Sequence, residues 1–85
     1  MIVEFFGTVR LRAGVASIEV EASTLGEALG ILSHEIPSMS GAVIVGDRVH
    51  PAFRVSLNGE RFVDDPVTPI GPTDRVLILA ADAGG

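Results

Sequence analysis

Eighty-five residues make one domain with no room for a second core, and a chain of this size hides only about 60–65% of its unfolded surface. Eleven acids against six basic residues give a net charge of −5, which argues against the basic footprint of a nucleic-acid binder, while 47% hydrophobic and 20% charged residues exclude a disordered chain. There is no cysteine, so disulfides, thiolate metal sites and a cysteine nucleophile are excluded, and the two histidines, His34 and His50, are too few for a multi-histidine metal site.

All six basic residues are arginines, so the chain cannot build lysine-linked chains on itself. Glu4 interrupts the N-terminal stretch where a signal-peptide core would be unbroken, and no apolar run approaches the roughly 18–20 residues of a membrane span. No membrane partner is expected, and the expected location is the cytoplasm.

In chain order, "IVEFFGTVRL" over 2–11 is rich in β-branched and aromatic residues and predicts a strand. "RAGVA" turns it. In "SIEVEA", 17–22, Ile18, Val20 and Ala22 alternate with Ser17, Glu19 and Glu21, which predicts a half-buried strand paired with the first as a hairpin. "TLGEALGILSHEI" then predicts a helix. Thr24 and Glu27 have capping-box spacing; Leu25, Ala28, Leu29, Leu32 and Ile36 form one apolar stripe; Pro37 ends it. Gly26 and Gly30 weaken this helix by about 1 kcal/mol each against alanine and are expected to let it sit close on a sheet. His34 lies off the stripe and faces solvent.

Residues 38–51, "SMSGAVIVGDRVHP", read as an irregular connection with one short element, either a strand or a helical turn. "AFRVSLNGERFV", 52–63, predicts a hairpin: Phe53, Val55 and Leu57 alternate with polar residues, and Asn58-Gly59 supplies the positive φ angles of a type I′ turn. Three prolines and a glycine make "DDPVTPIGPTD" a loop. "RVLILA", 75–80, is apolar on both faces, Val76, Ile78 and Ala80 on one and Leu77, Leu79 and Ala81 on the other, and therefore predicts a central strand.

One helix covers one face of a sheet. Phe5 and Phe6, being adjacent, point to opposite faces, so the second face is expected to expose apolar surface around Phe6, Leu77, Leu79 and Ala81 beside the start of the tail. The alternative is that 38–51 folds over it. The sequence closes on "AADAGG", which predicts a body over 1–80 and a flexible tail over 81–85. Asp64-Asp65, Asp74 and Asp82 have no acid/base or metal spacing, so neither a catalytic nor a metal site is expected.

Two strands, a helix, a hairpin and a central last strand is the order of an α+β, ubiquitin-like β-grasp: a mixed sheet of about five strands with one main helix packed on one face, its first and last strands parallel neighbours. "VEFFGTVRLRAG" resembles the opening of the molybdopterin synthase small subunit in the MoaD/ThiS sulfur-carrier family, typically V-x-F-F-A-x-L-R-E-x-A-G; "FRVSLNGERF", "DRVLILA" and the closing Gly-Gly resemble its later strands and tail. The likeness of element order spans nearly the whole chain, and the residue-level likeness its start and final third. Gly7 stands where alanine is usual, Leu11 where glutamate is usual, and the tail lacks a preceding proline.

The resemblance implies a covalent sulfur carrier that is not itself an enzyme and needs no cofactor. The Gly85 carboxylate would be adenylated by an E1-like adenylyltransferase of the MoeB/ThiF type and converted to a thiocarboxylate. Gly84 and Ala83 would thread into the partner's active site, where glycine backbone fits a narrow tunnel, and Phe6, Leu77, Leu79 and Ala81 would dock. Extended, Ala81 to Gly85 span roughly 17 Å. The acceptor would be a MoaE-type molybdopterin synthase large subunit, making the dithiolene of the molybdenum cofactor. The length of 38–51 favours this branch over the shorter thiamine carrier; cysteine synthesis, tRNA thiolation and ubiquitin-like modification of protein lysines are the alternatives.

Overall fold

In the computed structural model, which describes residues 1–82, the first strand, β1, covers Ile2–Phe5 and stops there. The expected strand over 2–11 is corrected at this point. Gly7 takes φ +61°, a left-handed conformation open to glycine, and Thr8–Ala13 follow as a helix, α1. Val9 and Ala13, four residues apart on a helix, share a face and pack on the core, Val9 with no exposed surface. That burial outweighs the β-propensity of the window. Gly14 closes α1 in the left-handed conformation, its N–H donating to the Arg10 carbonyl. β2 is Ser17–Glu19, shorter than the expected 17–22, but the alternation holds: Ile18 and Val20 turn inward, and Val20 N–H donates to Met1 O at 3.0 Å.

The main helix, α2, is Leu25–Glu35. Thr24 caps it, its Oγ1 accepting from Glu27 N–H at 3.2 Å, while Glu27 Oε2 reaches back to Ser23 N–H at 3.3 Å. Leu25, Ala28, Leu29 and Leu32 are buried, and His34 is exposed as expected. The loop after the hairpin serves the same helix end. Leu25 N–H donates to Thr68 O and Gly26 N–H to Pro66 O, so two of the donors that a helix start leaves unpaired are satisfied. This explains Gly26 differently from the sequence reading: a Cβ there would meet Pro66 Cβ at 3.1 Å and Pro66 O at 3.2 Å, so the close approach is to the loop and not to the sheet. A Cβ on Gly30 would meet open space.

Residues 38–51 hold more than the one short element expected. A 3-10 turn at Pro37–Met39 leads to a small hairpin of β3 (Ile44–Val45) and β4 (Arg48–Val49). Met39, Val43 and Ile44 are fully buried in the same core as α2. The apolar run therefore fills the core side.

β5 (Phe53–Leu57) and β6 (Arg61–Val63) form the expected hairpin, with Asn58 at φ +57° and Gly59 at +68°. β7 (Arg75–Ala80) is the central strand of a five-stranded sheet in the order β2-β1-β7-β5-β6, parallel to β1 and antiparallel to β5. The fold is a mixed-sheet α+β β-grasp. Its core lies between the sheet and α2, with α1 and the 38–51 segment filling the ends.

Asn58 also clasps the hairpin to the strand beside it. Its backbone N–H donates to Arg75 O, its Oδ1 accepts from Arg75 N–H at 2.8 Å, and its Nδ2 donates to Asp74 Oδ1 at 2.9 Å; Asp74 Oδ2 takes Gly71 N–H. The Asn58 amide, with Gly71 N–H behind it, holds the Asp74 carboxyl below its ordinary value of 3.8. A carboxylate with a depressed folded pKa adds stability that is present above the ordinary carboxylate range and is lost as pH falls through the folded value. Asn58→Asp keeps a residue tolerant of positive φ but sets a second carboxylate against Asp74. The urea midpoint of this variant is expected to fall below that of the wild type at neutral pH. The gap is expected to close as acid protonates the pair; a gap that widens in acid would refute the clasp.

Candidate functional site

The sheet face away from α2 is built by strand alternation. One cross-strand row reads Ser17, Glu4, Leu77, Ser56, Phe62, each residue in register with the next. Ser56 and Leu79 keep 8% of their surface and Leu77 is half-buried, while Phe6 and Phe62 are 54% and 56% exposed. Leu79 is in register with Arg54 and stands outside the main core cluster. Phe6 N–H donates to Ile78 O at 3.1 Å, one step beyond the last β1–β7 pair, Phe5 with Ile78, which carries Phe6 to the row of Leu79. The centre of this face is thus apolar with two aromatic projections.

Charge frames it unevenly. The Arg54 guanidinium lies 5.0 Å from the centroid of the Phe62 ring, a cation–π contact on the β6 side. Glu4 accepts from Arg75 at 2.7 Å; both side chains are well exposed, so this pair contributes little to stability. Sequence reasoning missed Phe62 and Arg54. A two-residue Asn-Gly turn would set Phe62 opposite Val55 on the core face; the observed register pairs Leu57 with Arg61 across three loop residues and so turns Phe62 opposite Ser56, off that face.

The end of β7 lies beside Phe6. β1 and β7 are parallel, so Phe5-Phe6 and Ala80-Ala81 finish together. Ala81 N–H donates to Ala52 O at 2.8 Å, and Phe53 is in register with Ala80. His50 sets this anchor: its Nδ1 accepts from Ala52 N–H at 3.0 Å and its ring meets Phe53 edge-on with centroids 6.2 Å apart. Asp82, the next residue, is exposed. The structure therefore places Phe6, Leu77 and Leu79 on one face and Ala81 at the end of β7, while Ala83, Gly84 and Gly85 lie outside the described residues. Among the described residues no cluster of metal-ligating side chains occurs, and no helix is long and apolar enough to cross a membrane.

Neither a protein-family model nor a curated protein sequence matches the chain. Solved structures do. The crystal structure of SAMP1 from Haloferax volcanii superposes with a TM-score of 0.81 at 22% identity, covering 99% of this chain and 97% of that one. A chain of the Amycolatopsis orientalis BexX/CysO complex matches with a TM-score of 0.77 at 21% identity, covering 99% and 98%. These matches define the class, a ubiquitin-like β-grasp domain. The Haloferax volcanii HVO 2177 protein matches with a TM-score of 0.74 at 30% identity, covering 99% of this chain and 84% of that one. The chain belongs to the family of that protein.

Proposed function

We propose that the chain is a sulfur carrier whose Gly85 carboxylate is the working group, and that it serves as the small, non-catalytic subunit of a MoaD-type molybdopterin synthase. The observation that carries this reading is the root of the tail: the backbone is held firmly to Ala81 by Ala52, directly beside the exposed apolar face that holds Phe6. A partner docked on that face has the start of the tail at its surface. The similarity to CysO and to small archaeal modifier proteins supports the same kind of molecule.

The chemistry belongs to the partners. A Gly85 carboxylate oxygen attacks the α-phosphorus of ATP in an E1-like enzyme; pyrophosphate leaves and an acyl adenylate forms. A sulfide-level donor attacks the carbonyl carbon, AMP leaves, and the thiocarboxylate remains. Gly84 and Gly85 have no Cβ, so a narrow tunnel can close on their backbone N–H and C=O groups. Phe6, Leu77, Leu79 and Ala81 dock, Ala83 and Gly84 thread, and a MoaE-type large subunit accepts the sulfur.

Intact-mass spectrometry tests this. Incubated with its adenylating enzyme, ATP and sulfide, the protein is expected to gain the mass of one sulfur-for-oxygen exchange at Gly85. An unchanged mass with an enzyme shown to be active overturns the carrier reading. A second reading, attachment to protein lysines through Gly85, is favoured by the name of its structural neighbour, the small archaeal modifier protein 1 of Methanosarcina acetivorans, which superposes with a TM-score of 0.79. High-mass adducts on a blot that vanish when Gly85 is removed would select it.

A further inference from the structure

The basic charge of this acidic chain is not evenly spread. Between residues 5 and 18 there are two arginines, Arg10 and Arg12, and none of the eleven acids. Both lie on α1, both are exposed, and among the described residues neither forms an ion pair. Between them stands Leu11, 82% exposed, the most exposed large hydrophobic side chain among the described residues, with Val15 46% exposed one turn on.

α1 itself accounts for part of this. A cation in the last helical turn is favourable by about 0.3–1 kcal/mol, and Arg10 and Arg12 both sit there. Nothing in the helix accounts for Leu11. Val9 and Ala13 make its contacts with the core, and a polar residue at position 11 would serve the fold equally. The opening pattern that the chain resembles carries an arginine at the position of Arg10 but a glutamate at that of Leu11, so the apolar knob and the missing acid are this chain's own. Two shallow grooves flank the knob. One, lined by Thr8, Arg12, Ser38, Val43 and Phe53, reaches the strand end where Phe53 registers with Ala80 at the root of the tail.

Resting on the carrier reading, we propose that α1 is a docking surface for the adenylating partner, which meets Leu11 with an apolar pocket rimmed by carboxylates. Both readings of the tail begin with adenylation, and the enzyme that activates the tail must approach the end of the sheet that α1 borders. A buried Leu11 supplies the anchor; Arg10 and Arg12, set against acids, steer the encounter and fix its register. The rest of the chain, with a net negative charge, would be repelled by the same acidic rim, so the positive segment also orients the approach.

The test is calorimetric titration of the wild type, a Leu11→Ser/Arg12→Glu double variant, Arg10→Glu and Arg61→Glu into the adenylating enzyme encoded in the same genome, at low and raised salt. The double variant is expected to bind at least about tenfold more weakly and Arg10→Glu severalfold more weakly. Arg61→Glu, an equal charge step to the double variant on the far edge strand β6, is expected to bind within about twofold of the wild type, and wild-type affinity is expected to fall with salt. All the substituted residues are exposed, so every variant is expected to stay folded, with the α1 variants lowered by several degrees for the lost helix-end cation. α1 variants that bind like the wild type while sulfur loading proceeds overturn this surface and leave the carrier reading standing. A wild type that neither binds nor releases pyrophosphate from ATP overturns both.

Discussion

Ile78→Ala is expected to lower the unfolding free energy by about 3–4 kcal/mol and the thermal midpoint by roughly 12–32 °C. Ile78 has no exposed surface and sits in the middle of β7, in register with Phe5 on one neighbour and Val55 on the other. Truncation leaves a cavity between strands that hydrogen bonds hold in place, so the site relaxes little. A chain of 85 residues is stable by only about 4–13 kcal/mol, so this single change removes a large share of the total. Leu77→Ala, one residue earlier on the open face and half-buried, is expected to cost under about 1.5 kcal/mol, because partial burial gives up less transfer free energy and leaves no closed cavity. Calorimetry on the pair checks both. Equal losses would mean that the two faces of β7 are buried alike, contrary to the asymmetry on which the docking face rests.

That asymmetry was legible in the sequence for Phe6 and in part for Leu77, but not for Leu79, which the structure buries on the same face. A strand apolar on both sides with one helix to cover it must leave something open, and Phe5 beside Phe6 says the same of β1. The parallel pairing of first and last strands, the Asn-Gly hairpin and the α2 cap were equally readable, because each rests on local chemistry: alternation, positive φ and a side-chain oxygen near a helix start. α1 was not read, because propensity in "FFGTVRL" favours a strand and the deciding contact is tertiary. The spacing of Val9 and Ala13, framed by Gly7 and Gly14, carried the signal. The hairpin within 38–51 was missed for a similar reason. Two-residue strands show no period, and their register is set by Met39, Val43 and Ile44 entering a core that only the folded chain defines. At the candidate site, Phe6 and Leu77 followed from alternation, whereas the contact of Arg54 with Phe62 depends on the extra loop residue that shifts the β5–β6 register by one, which the Asn-Gly pair does not announce.

Removing Gly85 is expected to abolish sulfur loading while the thermal midpoint moves by no more than roughly 2–4 °C, the shift of a surface change worth about 0.5 kcal/mol. Among the described residues the last buried side chain is that of Leu79; Ala80 and Ala81 are half-buried and Asp82 is exposed. On the proposed reading the variant would present the same group, a carboxylate on a glycine, now Gly84. What changes is reach. With Ala81 fixed to Ala52, one residue fewer withdraws the carboxylate by about 3.3–3.6 Å. A misplacement of about 1 Å already costs on the order of a hundredfold in rate, so on the proposed carrier reading this withdrawal is expected to take the carboxylate out of range of the α-phosphorus. Appending one glycine after Gly85 displaces the carboxylate in the opposite sense and is expected to fail as completely, although docking through the open face persists in both variants. Pull-down with the adenylating enzyme alongside intact-mass spectra separates binding from chemistry. If either length variant still loaded sulfur, the anchor at Ala52 would not be measuring the tail, and the link between the fold and the proposed reaction would be lost.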